Sequence, residues 1–185
     1  MKRPKFSETK ATQLAVRLIQ LADGSITYLK LMKLMYLCDR TALIKLGAPI
    51  TFDTYILMKY GPVLNTTLAL INAGHPPNEL SHWDIYIEAV DAHNMRLRKE
   101  IIDQDFLSEA EHNIIESVFE KYGNLNQWEL VKLLHDELPE LINPDDLVLP
   151  IDYRDILVAE NMAQAEIEGI EEELAEAAQI DAVFS

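Results

Sequence analysis

Apolar residues recur at helical spacing through the first 46 residues. Ser7 is placed to cap a helix whose stripe is Ala11, Leu14, Ala15, Leu18, Leu21 and Ala22. Gly24 suits the left-handed stop. Thr27 then caps a second helix, striped by Leu31, Leu34, Met35, Cys38, Ala42 and Leu46, with Gly47 at its end and Pro49 blocking a restart. The short link Gly24–Ile26 favours antiparallel packing of the two. Gly61-Pro62 reads as the next helix start, with Pro in the first helical position and Val63, Leu64, Leu68 and Ile71 as its apolar face. Gly74 reads as its stop, and His75-Pro76-Pro77-Asn78 as a loop.

The period changes from 3.6 to 2 between Asp84 and Lys99. Ile85, Ile87 and Ala89 alternate with Tyr86, Glu88 and Val90, and Met95 and Leu97 alternate with Arg96 and Arg98. This predicts a β-hairpin. A three-residue loop, Asp91-Ala92-His93, puts Ile85, Ile87, Met95 and Leu97 on one face and Glu88 opposite Arg96. A two-residue loop would set apolar residues opposite charged ones. Helices return at Ser108, which opens a capping box with Glu111 ahead of Ile115, Val118 and Phe119. Asn126 caps a helix containing Trp128, Leu130, Val131 and Leu134, which Pro139 ends. Asn143–Pro150 is rich in turn signals, Asn143-Pro144-Asp145-Asp146 above all. From Asp152 the chain turns Ala-, Glu- and Ile-rich, and Leu157, Ala165, Ile167, Ile170, Leu174, Ala177, Ala178 and Ile180 leave one apolar stripe between acids. The fold class is therefore mainly α with a small β-hairpin. A compact helical domain over 1–150 is followed by an acidic helical extension over 151–185.

At 185 residues the chain can bury roughly 70% of its unfolded surface, so it needs no disulfide or metal staple. Its one cysteine, Cys38, lies on an apolar stripe and reads as a small core hydrophobe. No apolar stretch approaches the roughly 20 residues that span a bilayer, and no signal core follows the basic start. A soluble cytoplasmic protein with no membrane partner is expected.

Charge is uneven. Residues 1–40 carry eight Lys or Arg against three acids, whereas 152–185 carry ten acids against Arg154 alone, and the whole chain has a formal charge of −15. Such a protein repels nucleic-acid phosphates and speeds encounter with basic partners. The acidic stripe needs cover, from the domain itself, a second copy or a partner; packing on this chain or a second copy is the expectation, with the basic N-terminal helices carrying Lys10, Arg17 and Lys30 as one docking place and contact with a basic toxin as the alternative.

Active-site chemistry leaves no trace. His75, His82, His93, His112 and His135 lack metal-ligand spacing, and no phosphate loop, zincin or nucleophile-elbow motif occurs. His135-Asp136-Glu137 are adjacent on a helix and point in different directions. No catalytic residue, cofactor or metal is expected, and the chain reads as a non-enzyme.

The segment Lys33-Leu34-Met35-Tyr36-Leu37-Cys38-Asp39-Arg40 resembles the "KLLYLADR" of one family, the SocA-like antitoxins with a Panacea domain, found in bacteria and phages. Gly47-Ala48-Pro49-Ile50 with Asp53 and Tyr55 is similar to its "G.PI..D.Y", and Lys59-Tyr60-Gly61-Pro62-Val63 to its "KYGPV". Leu107-Ser108, Tyr122-Gly123 and Leu134-His135 follow in order, so the resemblance runs from about Ser7 to Leu141. Cys38 stands where Ala is common, and Pro139-Glu140-Leu141 stands where the family has a tryptophan.

The resemblance implies an antitoxin that occludes a cognate toxin, encoded by an adjacent gene, by direct binding. Family toxins include alarmone-synthetase-like and translation-inhibiting proteins. Resemblance to SocA also implies an alternative, an adaptor that delivers the toxin to a AAA+ protease, and an uncharacterised phage-associated interaction protein is a further one. Structurally, Asp39-Arg40 reads as a helix-terminal ion pair and Tyr60-Gly61-Pro62 as a turn. Functionally, Asp53, Tyr55, Lys59 and Tyr60 are the expected anchors of the toxin-facing surface.

Overall fold

The computed structural model describes residues 2–73, 81–99, 105–141 and 148–184. Helix α1 (Glu8–Leu21) begins where the Ser7 hydroxyl accepts from Lys10 N, and α2 (Tyr28–Leu46) where Thr27 does the same for Lys30 N. Gly47 ends α2 at φ +75° and donates to Leu43 O at 3.1 Å. Twelve residues of α2 are buried, among them Lys33, Asp39 and Arg40 as well as the expected stripe, while Leu46 is exposed. The reason is position: α2 touches α1, strands β1 (Ser25–Thr27) and β3 (Gly61–Leu64), α5 (Glu109–Tyr122), α6 (Gln127–Glu137) and α7 (Tyr153–Ala159). A helix covered on every side is the core of its domain.

Two three-stranded antiparallel sheets flank it, one ordered β1, β5 (Asn94–Leu97), β4 (Ile87–Ala89) and the other β3, β2 (Tyr55–Met58), β6 (Leu149–Ile151). The first holds the expected hairpin, β4 (Ile87–Ala89) and β5 (Asn94–Leu97). Glu88 faces Arg96 and is bonded to it at 2.7 Å, and Val90 N donates to Asn94 O, so the loop is Asp91–His93. Ile87 and Met95 are buried as expected. Ile85 is not on that face. It belongs to a short helix, α4 (His82–Tyr86), and is exposed. The Ser81–Asp84 capping box starts a helical turn there, and Trp83 and Tyr86, three apart, bury on one side of it. The supposed link Gly24–Ile26 also differs: Ser25–Thr27 form β1 and pair with β5.

The second sheet corrects the reading of Gly61-Pro62 as a helix start. Tyr55–Met58 (β2) and Gly61–Leu64 form a hairpin, and α3 (Asn65–Ala73) begins only after Leu64. Pro62 is tolerated because β3 is an edge strand, where its missing N–H breaks no second ladder. Strand β6 (Leu149–Ile151), which begins at the end of the turn-rich Asn143–Pro150 stretch and runs one residue past it, pairs with the other side of β2. The Gly74 stop, the His75–Asn78 loop and the Asn143–Asp146 turn lie outside the described residues.

The acidic tail is α7 followed by α8 (Gln164–Phe184), packed on its own chain through Leu157, Ile167 and Leu174. Ile180 and Val183 near its end are exposed. It does not dock on Lys10, Arg17 and Lys30. Those bases are taken by α5 and the residue that caps it: Lys10 meets Glu111 at 2.7 Å, Arg17 meets Glu116 at 2.5 Å, and Lys30 donates to Gly123 O. Within the tail, Arg154 of α7 meets Glu171 of α8 at 2.7 Å, and beyond it Asp181 accepts from Lys5 N at 3.1 Å and Glu160 from Arg40 at 2.6 Å.

Candidate functional site

The family-like residues on and beside α2 separate into two groups. The first closes around the C-terminal half of α2. Asp39 is fully buried and accepts from Ile50 N and Thr51 N at 3.0 Å, from the Tyr55 hydroxyl at 3.1 Å and from the Thr51 hydroxyl. It thereby fastens the loop after α2. Burial pushes its carboxyl up to about 7, and the Thr51 and Tyr55 donors oppose that rise. Asp53 is also fully buried. It accepts from Thr54 N, Thr66 N, Thr67 N and the Thr67 hydroxyl, all within 2.7–2.8 Å, and so holds the first turn of α3.

Arg40 and Asp39 form no ion pair with each other, because adjacent helical positions diverge. The Arg40 guanidinium grips Glu140 through Nε at 2.6 Å and Nη2 at 3.2 Å, and reaches Glu160 at 2.6 Å. Burial works against its charge, but those two carboxylates outweigh it and hold the group above its ordinary value. Tyr36 donates to the same Glu140 at 3.1 Å, and the Tyr153 hydroxyl donates to Asp53 O at 2.7 Å. The rings of Tyr36, Tyr55 and Tyr153 pack in sequence, edge-to-face at 5.3 Å and tilted at 5.1 Å, and Arg3 covers Tyr153 at 4.4 Å. This network joins α2, the β2 hairpin, α7 and the short 3-10 turn Pro139–Leu141. It is a closed device for positioning elements.

The second group is open. The β2–β3 turn presents Lys59 and Tyr60 to solvent. Gly61 sits at φ +89°, a left-handed geometry that suits glycine. Tyr60 packs edge-to-face on Trp128 of α6 with ring centroids 5.4 Å apart, yet the two remain 46% and 56% exposed. Lys59 Nζ lies 5.7 Å from the Tyr60 ring centre. Behind the turn is a groove of about 630 Å³, bounded by α2, α3, the β2–β3 turn and the Asp91–His93 loop. Lys33 lies at its floor, fully buried, donating to Pro62 O at 2.7 Å. Burial pulls its amine down to about 7.

Of the four expected anchors, Lys59 and Tyr60 are therefore adjacent at the surface. Asp53 and Tyr55 are not surface residues: their polar atoms satisfy buried donors and acceptors in the core. Sequence reading missed Trp128 and Lys33 as members of the open group. Both were legible. Trp128 is about 200° around the helix from Leu130, so it points away from the buried side. Lys33 lies one helical turn from Leu29 and from Leu37, an apolar row interrupted by a single charge. His135 is exposed on α6, and Cys38 is fully buried, where burial and then Asp39 raise its thiol well above the ordinary range. Among the described residues no helix is long and apolar enough to cross a membrane, and no three His, Cys, Asp or Glu side chains gather as metal ligands.

The fold and its open face thus define a mainly helical domain braced by a buried polar network, with one aromatic, partly cationic surface. The family model described as antitoxin SocA-like, Panacea domain, matches residues 31–139, more than half of the chain, and the chain belongs to that family. No curated protein and no solved structure matches it.

Proposed function

We propose that this protein is an antitoxin that neutralises a cognate toxin by stoichiometric contact, without turnover. Family membership over residues 31–139 carries the reading. The exposed Tyr60–Trp128 pair with Lys59 beside it supports a binding role, because Trp and Tyr are enriched among residues that dominate interface energy. Their edge-to-face packing pre-orients them, which lowers the entropy lost on docking. The formal charge of −15 favours encounter with a basic toxin. The toxin is the product of an adjacent gene.

Co-expression with that neighbouring protein tests the reading. Growth rescue together with a purified complex of fixed stoichiometry is the expected result. Rescue that disappears in a host lacking AAA+ proteases, with toxin levels restored, would replace occlusion with delivery to a protease. Rescue at strongly substoichiometric antitoxin in such a host would point to turnover and contradict both.

A further inference from the structure

We propose that the groove beneath the β2–β3 turn reads a carboxylate: it takes an Asp or Glu side chain borne on an apolar segment of the bound toxin, with Lys33 supplying the counter-charge. The inference deepens the antitoxin reading and rests on it.

The buried charges of this protein make the case. Among the described residues, Arg40 has Glu140 and Glu160, Asp39 and Asp53 each have four donated hydrogen bonds, and Glu111 has Lys10. Lys33 differs. It is fully buried, its hydrogen bond goes to the neutral carbonyl of Pro62, and no described carboxylate pairs with it. Lys33 spends one donor on Pro62 O and lies just beneath the groove surface, where its charge acts on an incoming group. A buried cation without a counter-charge is costly, and a matching anion relieves that cost.

The surroundings select the occupant. Leu29, Val63, Leu68 and Ile71 make apolar walls, and Met58 and Met95 add adaptable ones. Asp91 borders the groove, but its carboxylate is already held by His93 N, Asn94 N and the Asn94 amide. Lys59 adds a second positive charge at the rim. With Lys33 and Lys59 against the ionised Asp91, the lining holds more basic than acidic groups, unlike the strongly anionic chain as a whole. Its volume suits a few side chains. Tyr60 belongs both to the groove and to the exposed aromatic pair, so an occupant that fills one continues onto the other. That continuity favours a segment of a protein over a free small molecule.

The test uses the full chain with methyl-labelled methionine and three small probes of equal length: hexanoate, hexanamide and hexylamine. Met58 and Met95 report from the groove, while Met32 and Met35 report from the core. The expected result is saturable shifts at Met58 and Met95 with hexanoate, at least tenfold weaker binding of hexanamide, and none of hexylamine. Lys33→Met should erase the preference for hexanoate. Ala92→Trp, at an exposed position on the rim, should weaken all binding in a chain whose buried residues are untouched. Both variants should lose at least tenfold in toxin affinity. Equal affinity for hexanoate and hexanamide, or no shift at Met58 and Met95 with any probe, overturns the proposal. Unchanged toxin affinity in both variants also overturns it and leaves the antitoxin reading standing. Selective hexanoate binding without any toxin complex defeats the antitoxin reading instead, and the toxin-borne occupant with it.

Discussion

Lys33 and Arg40 lie seven residues apart on one helix, about two turns, and both are buried cations. The protein treats them in opposite ways. Around Arg40, two carboxylates, a tyrosine hydroxyl and three packed rings form a dense polar and aromatic cluster that ties four elements together. Around Lys33 there is one carbonyl, an apolar groove and a turn whose Tyr60 packs on Trp128 of α6, both rings half in water. The closed end of α2 is built to hold the fold. The open end keeps binding capacity that the fold does not use. Family-like residues therefore need not share a role: Asp39, Arg40, Asp53 and Tyr55 belong to the first, and Lys33, Lys59 and Tyr60 to the second.

Removing a member of the closed end should have the largest effect on stability. Arg40→Ala leaves the buried Glu140 side chain without its cation, and loss of one partner of a buried pair costs about 3–5 kcal/mol. Urea unfolding should register it. A loss under about 1 kcal/mol would show that Glu140 finds water or another donor, and the region would not be closed.

Asp53→Ala comes next. It frees the N–H groups of Thr66 and Thr67 at the start of α3, and losing such a cap costs about 2 kcal/mol. Hydrogen exchange should then rise first in α3. Exchange rising evenly over the whole chain would argue that Asp53 supports the core instead of this helix.

The two halves of α2 should also respond oppositely to pH. Asp39 is raised to about 7, above its ordinary 3.8, so the folded state holds a proton that the unfolded state has released. Its contribution falls as pH rises from about 4 to 7. Lys33 is lowered to about 7 from 10.5, so between about pH 7 and 10 the folded amine is neutral where the unfolded one is charged, and below that range both carry the charge. Stability from this group rises with pH from about 7 to 10, by up to about 1.4 kcal/mol per unit. Between pH 7 and 8 the wild type should gain on Lys33→Met, and between pH 5 and 7 it should lose ground to Asp39→Asn. Parallel curves for wild type and both variants would remove the electrostatic half of the comparison.

Much of this architecture was legible, and the misses have physical causes. Caps at Ser7, Thr27, Ser108 and Asn126 and the Glu88–Arg96 register followed from local chemistry, and the structure has each of them. The β2–β3 hairpin was hidden because Gly-Pro also opens helices, and only pairing with β6, some 90 residues on, decides between them. Ile85 was misplaced because a capping box outweighs two steps of alternation. Asp53 and Tyr55 looked like surface anchors because polarity by itself does not reveal a partner. Their partners, Asp39, Thr66 and Thr67, come from other elements.

The smallest expected effect on stability belongs to the open end, and it carries the central claim. Tyr60→Ala combined with Trp128→Ala removes two half-exposed rings and their edge-to-face contact, so unfolding should change by about 0.5–1.5 kcal/mol, less than at the closed end. If this face binds the toxin, titration calorimetry against the neighbouring gene product should show affinity reduced at least about a hundredfold, with growth rescue lost. Full affinity and full rescue in this stably folded double variant would contradict the account.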